Sequence, residues 1–153
     1  MIGELFIGAV GAFGGTVGLS LLLNAPPRSI LPASLTGMLG QLVYMILRLH
    51  MGQSLIASYF FATVTVAVIC EICARVMRMP STIFLLSALI PLVPGYSFYA
   101  MLLALVQDNG MQAARCGMEA VQVVAAIAVG SAVTSVVFRA MMMRRLRRAE
   151  KIQ

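Results

Sequence analysis

The sequence predicts an all-α integral membrane protein that crosses the bilayer about five times. Of its 153 residues, 61% are hydrophobic and only 10% are charged, whereas soluble domains contain about 45–50% apolar and about 25% charged residues. So few charged side chains cannot cover the surface of a soluble domain of this size. The apolar runs show no period-two alternation, so transmembrane helices are expected rather than strands.

Five apolar segments are separated by breaks that contain charged, proline, glycine or turn residues. The breaks fall at Asn24–Ser29, Arg48–Gln53, Arg75–Ser81 and Gln107–Cys116. Each segment is long enough for a hydrocarbon core that needs about 17–25 helical residues. We therefore predict a transmembrane domain at residues 1–143, with spans at about 2–23, 30–47, 54–74, 82–106 and 117–138, and a basic cytoplasmic tail at residues 144–153.

The first, second and fifth segments carry small residues at helical spacing. The first segment lacks the basic region of a secretory signal, so residues 2–23 are expected to belong to the mature fold. Close helix packing is the favoured interpretation of the small residues, and a substrate passage between the helices is the alternative. The residues are Gly8, Gly11, Gly15 and Gly18 in the first segment, Ala33, Gly37 and Gly40 in the second, and Ala126, Gly130 and Thr134 in the fifth.

The third segment contains a carboxylate four residues before a cation. Glu71 and Arg75 should face one another near the cytoplasmic end of the helix. Two interpretations stay open: a proton-coupling group, or a static ion pair that reaches the interface. Cys70 and Cys73 have the spacing of a metal or redox pair, but a structural zinc ion needs four ligands, so packing is favoured and no metal site is predicted.

The fourth segment is predicted to be a broken helix. A continuous helix would leave the carbonyl of Ser87 without an amide partner at Pro91, and Pro94 would do the same to Ile90. Gly95 can end a turn at little cost. We predict two half-helices, at about 82–90 and 96–106, that meet near the bilayer centre.

This break is the predicted substrate-binding site. Freed backbone groups are tolerated inside a membrane only where protein or a water-filled cavity satisfies them, and the second half-helix would point its positive end at the gap. An anionic group such as a carboxylate is the expected occupant, and a simple kink is the alternative. The predicted substrate-binding residues are Ser87, Pro91, Pro94, Gly95, Tyr96, Ser97 and Tyr99, with Glu71 and Arg75 as the predicted proton-coupling pair.

The distribution of positive charge predicts that the N-terminus lies outside and the C-terminus inside. This orientation places nine of the eleven Lys and Arg residues on the inner side, against Arg48 and Arg115 on the outer side. The basic run at residues 139–153 directly follows an apolar span. We therefore interpret it as an anchor on anionic lipid of the bilayer, and not as a nucleic-acid surface.

The break also has a characteristic sequence. The run Ala88-Leu-Ile-Pro-Leu-Val-Pro-Gly95 is followed by Tyr96, Tyr99 and a Gln107-Asp108 turn. This combination, together with the five-segment layout and short tail, resembles the threonine/serine exporter family, specifically its small C-terminal half. Some members carry two five-span halves in one polypeptide, and others divide them between two subunits. The resemblance implies the smaller subunit, a larger five-span partner, and export of threonine and serine or of a dicarboxylate such as succinate.

Two functional hypotheses follow from these features. The first is a subunit of a proton-driven secondary exporter of small carboxylated metabolites, in a bacterial inner membrane. The second is a structural or assembly subunit that stabilises a transporting partner, and a homo-oligomer also stays open. An enzyme and a bound cofactor are not expected, because the sequence offers no catalytic constellation and no Gly-rich phosphate loop.

Overall fold

The computed structural model describes residues 2–150, with side chains at residues 3–141 and at Met143. Every element in this range is helical and no β-strand occurs in it, which confirms the predicted fold class. A π-helical turn at Ile46–His50 extends the second helix, and a 3-10 turn at Ile90–Leu92 follows the fourth. The helices are α1 (Ile2–Leu22), α2 (Pro27–Met45), α3 (Leu55–Met77), α4 (Ser81–Ala88), α5 (Gly95–Val106) and α6 (Gly110–Glu150).

Four of these helical stretches are long and apolar enough to cross a membrane by themselves, namely α1, α2 with its π-helical turn, α3 and α6. The pair α4 and α5 passes the same test together, with a bend of 53° between its two halves. The described chain therefore has up to five membrane spans, and the fourth of them is broken.

Three of the helices end in a left-handed residue. Asn24, Arg78 and Asp108 each have φ of 53°, and the following amide bonds back to the end of the helix, as in Ala25 N to Ser20 O at 2.9 Å. This arrangement is the Schellman motif, for which Asn and Asp are tolerated and Arg is uncommon. The polar residues that marked breaks in the sequence thus form the helix ends themselves.

The interior is made of small and hydroxyl-bearing side chains, while most large apolar side chains face outward. Several buried hydroxyls donate to carbonyls of their own helices, as in Thr16 Oγ1 to the Ala12 carbonyl and Ser34 Oγ to the Ile30 carbonyl, both at 2.8 Å, whereas Thr63 Oγ1 is buried without a hydrogen-bond partner in the described chain. Small interior residues let helices approach closely, and lipid is an adequate solvent for the apolar exterior.

Helix α2 lies at the centre of the bundle, where it contacts α1, α3 and α4. Its glycines are the points of closest approach: a Cβ at Gly37 would lie 2.6 Å from Thr16 Oγ1, and one at Gly40 would overlap Val66. In α1, by contrast, a Cβ at Gly11 or Gly15 would meet no atom within 4 Å. Close packing is therefore realised on α2, whereas most of the glycine stripe of α1 stays uncovered by the described chain.

Helix α6 is longer than any bilayer crossing requires. Its 41 residues span about 60 Å at 1.5 Å per residue, against a hydrocarbon core of about 30 Å. Helix α6 begins at Gly110, before the predicted span at 117–138. The polar residues before 117 mark the boundary with lipid, but the helix itself continues through them. The helical backbone continues to Glu150, whereas the side chains of the predicted tail at 144–150 and all of residues 151–153 lie outside the described residues.

Candidate functional site

The site is built around the break in the fourth span. Pro91 has no N–H to offer the Ser87 carbonyl, so α4 ends at Ala88. The next amides close shorter turns, with Leu92 N bonding Leu89 O at 2.9 Å and Gly95 N bonding Val93 O at 2.7 Å. Helix α5 then starts in a new direction. The predicted break is confirmed, and its cause is the missing proline amides.

A cavity of about 250 Å³ lies against this break. We call it the central cavity. Its walls come from three glycines and an alanine of α1, from α2 and from the 3-10 turn. None of its seven lining residues is ionisable, and Gln41 brings the largest polar side chain among them. They are Gly8, Gly11, Ala12, Gly15, Gln41, Ile90 and Pro91.

A second cavity, of about 280 Å³, lies between the α1–α2 loop and α4, and we call it the loop-side cavity. Asn24 and Ser87 are its polar lining residues. Ser87 is almost completely buried, at 1% exposure. Two residues predicted for one site thus line two different cavities, with Pro91 in the central one and Ser87 in the loop-side one.

The other predicted binding residues lie away from both cavities. Pro94 is buried and Ser97 half-buried, but Tyr96 is 83% exposed and Tyr99 62% exposed. A Cβ at Gly95 would meet nothing within 4 Å. The cause is the 53° bend, which carries α5 away from α1 and α2 so that α6 is its helical neighbour in the described chain. Within the described residues, the start of α5 opens outward.

The predicted ion pair forms on α3. Arg75 Nη2 lies 3.6 Å from Glu71 Oε2, with the Arg75 side chain 45% exposed and that of Glu71 20% exposed. The guanidinium group also lies over the ring of Phe138 in α6, 4.6 Å from its centroid. Arg75 thus connects α3 to α6, a contact between distant segments that no local pattern predicts.

Gln41 is the residue that sequence reasoning missed. One polar side chain within an apolar helix gives no motif, and no break lies beside it. The available signal was its position four residues after Gly37, which places it on the small-residue face of α2. A polar residue on the packing face of a transmembrane helix is a binding candidate by default.

Comparison with known proteins identifies the family. The family described as "Threonine/Serine exporter, ThrE" matches residues 8–137. An "Uncharacterized protein" of Haemophilus influenzae (strain ATCC 51907 / DSM 11121 / KW20 / Rd) is 28% identical over 92 residues, which are 60% of this chain and 30% of that relative. No solved structure matches the chain. The family match covers most of the chain and includes the broken span, and the chain therefore belongs to the threonine/serine exporter family.

Proposed function

We propose that this chain is the smaller subunit of a secondary exporter that moves small carboxylated metabolites out of a bacterial cell across the inner membrane. The substrates are threonine and serine or a dicarboxylate such as succinate, and export is coupled to protons. The observation that carries the proposal is the central cavity, which lies against a broken span in a chain of this family. Broken helices with cavities at their break are how many secondary transporters hold substrates.

The size and polarity of the central cavity suit such a substrate. Its volume of about 250 Å³ corresponds to about eight water molecules at about 30 Å³ each. A small amino acid or dicarboxylate fits this space. The Gln41 amide has two donor hydrogens and one carbonyl oxygen, so it can bind a carboxylate, a hydroxyl or an ammonium group.

The lack of ionisable side chains in the central cavity supports a second subunit. A carboxylate held away from water needs a cation or several hydrogen bonds, and the lining of the central cavity, which is open at the surface of the described chain, contains no ionisable side chain. The uncovered Gly11 and Gly15 of α1 and the outward-facing start of α5 are each open to another chain. The Haemophilus influenzae relative is about twice as long as this chain, which is consistent with a second half. We infer that a larger five-span partner supplies the missing polar groups.

A test of the proposal uses cells that lack this chain but retain its partner and are loaded with serine- or threonine-containing dipeptides, or with succinate. Reintroduced wild-type chain should restore efflux. Gln41→Leu should lower the efflux rate by about tenfold, because loss of a hydrogen-bond partner costs about 1–3 kcal/mol when the other group is left unsatisfied. Gln122→Leu, in the groove between α3 and α6, is the matched control and should transport normally.

The alternative function is that of an assembly subunit for a transporting partner. It is favoured by the exposure of Tyr96 and Tyr99, which do not converge with Pro91 on one site. The same two glutamine variants separate the functions when membrane abundance is measured together with efflux. Normal efflux with Gln41→Leu would reject the transport role for the central cavity and favour the assembly role.

A further inference from the structure

The central and loop-side cavities lie beside neighbouring parts of the same chain segments. The central cavity is lined by α1, α2 and the 3-10 turn, and the loop-side cavity by the α1–α2 loop and α4. Helices α1 and α2 are joined by a short loop and pack against each other, so their residues can be ordered along one axis. Three stretches of chain run from one cavity to the other, and we call them the three walls: Gly15 of α1 to Asn24 of the loop, Pro26 of the loop to Gln41 of α2, and Ser87 of α4 to Pro91 of the 3-10 turn.

A tight contact separates the two cavities. A Cβ at Gly37 would lie 2.6 Å from Thr16 Oγ1, 3.2 Å from the Ala88 carbonyl oxygen and 3.4 Å from Pro91 Cγ. Thr16, Gly37 and Ala88 each lie, in sequence, between the two cavity linings of their own wall. Thr16 and Ala88 are both fully buried, so no solvent passes between them in this structure.

We propose that the two cavities are halves of a single path for substrate, and that the contact of Thr16, Gly37 and Ala88 is its gate. This inference rests on the proposed transport function. Opening needs only a small movement, because one hydroxyl side chain, one backbone carbonyl and one glycine form the contact.

The position of the gate beside the break explains how it could move. Ala88 is the last residue of α4, and the next turn is held by 3-10 bonds in place of the regular helical ladder. Breaks of this kind are common hinge points, since neighbouring groups can satisfy the freed backbone in more than one arrangement. A shift of α4 relative to α1 would join the cavities without disturbing the packing of α2 against α3.

Thiol accessibility tests the gate independently of substrate. In the complex with Cys70, Cys73 and Cys116 replaced by Ala, we would introduce Ile83→Cys or Gln41→Cys and treat sealed vesicles of both orientations with a membrane-impermeant methanethiosulfonate. Ile83 lines the loop-side cavity and is half-buried, so Ile83→Cys should react from the side of the α1–α2 loop. Gln41→Cys should react poorly from that side, because the gate lies between the reagent and the thiol.

Two exposed positions identify the two faces of the membrane. Arg28→Cys marks the face with the α1–α2 loop, and Gln53→Cys marks the opposite face, since both residues are exposed at opposite ends of α2. Adding Thr16→Ala should raise the reaction rate of Gln41→Cys from the loop side by at least about tenfold, equivalent to about 1.4 kcal/mol of barrier. Thr16→Ser keeps the hydroxyl and should not raise it. An unchanged rate with Thr16→Ala would overturn the gate.

A reversible lock gives a second measurement if Thr16→Ala assembles poorly. Thr16→Cys places a thiol at the contact, so its reaction with the methanethiosulfonate during transport should form a mixed disulfide that stops efflux, and reduction should restore it. Efflux that continues after complete disulfide formation would reject the inference. Absence of efflux from the unmodified protein would instead reject the proposed function, while the thiol reaction rates would still test the gate.

Discussion

Arg75 shows how a single side chain serves both a local and a long-range contact. It pairs with Glu71 one turn earlier and lies over Phe138 of α6. Exposed ion pairs contribute about 0–1 kcal/mol, and exposed cation–π contacts contribute about 0.5–1 kcal/mol. Neither contact is strong enough to explain by itself why a carboxylate lies within a transmembrane helix, so a coupling role for Glu71 stays a prediction.

Substitution of Glu71 by Gln tests that role. Glu71→Gln preserves the shape of the side chain but cannot exchange a proton, so a coupling residue predicts slower export and a flatter dependence of the efflux rate on external pH. The efflux rate should be measured in vesicles across a range of external pH. The matched control is Glu119→Gln, an exposed carboxylate of α6, which should leave the pH profile unchanged. A wild-type pH profile with Glu71→Gln would show that the pair is structural.

At the scale of the element, the broken fourth span was the most predictable feature. The chemistry of Pro91 and Pro94 is local, since each removes a helical amide whatever surrounds it. The direction of α5 was not predictable, because contacts with α6, which follows later in the chain, set it. For the same reason the predicted binding residues after Pro94 do not meet Pro91 within the described chain.

The small-residue faces likewise could be predicted from the sequence, whereas the helices that cover them could not. The spacing of glycines correctly indicates which faces can approach another backbone, but α1 and α2 carry equally regular patterns. Only the structure distinguishes Gly37, which contacts α1 and the break, from Gly15, which borders a cavity. A periodic pattern identifies a face and does not identify what covers that face.

Gly37 should therefore be intolerant of even one methyl group. Gly37→Ala places a Cβ 2.6 Å from Thr16 Oγ1, and overpacking of this kind costs about 1–3 kcal/mol. The double variant Thr16→Ala with Gly37→Ala removes that oxygen and should regain most of the loss. Gly14→Ala is the control, since its Cβ would meet nothing within 4 Å and alanine favours helix.

These variants can be compared by thermal unfolding in detergent. We expect the single Gly37→Ala variant to unfold at the lowest temperature, with the double variant and the control close to wild type. If the double variant is no more stable than Gly37→Ala alone, the contact with Thr16 is not what excludes a side chain at this position.

At the scale of the whole molecule, the described helices do not pack into one closed bundle. Its core cluster joins α2, α3 and the broken span, whereas α5 packs only on α6 among the described helices. The sequence predicted the number of spans because hydropathy is summed over each segment. It could not predict this open arrangement, because the surface that each span offers to lipid or to another subunit depends on how all the spans assemble.

The exposed face of α5 is where we expect the proposed larger subunit to bind. A photoreactive benzoylphenylalanine at Tyr99, which is 62% exposed at the start of α5, should crosslink to a second membrane protein when the complex is irradiated in native membranes. The same residue at Val76, 78% exposed near the end of α3, serves as the control and should crosslink mainly to lipid. The bend turns α5 outward, so Tyr99 is exposed to a neighbouring protein. If that protein is the partner, the crosslinked product should disappear when the partner gene is deleted. The mass of the product identifies the partner. Equal crosslinking to one protein from both positions, or persistence of the Tyr99 product without the partner, would contradict a specific contact by α5.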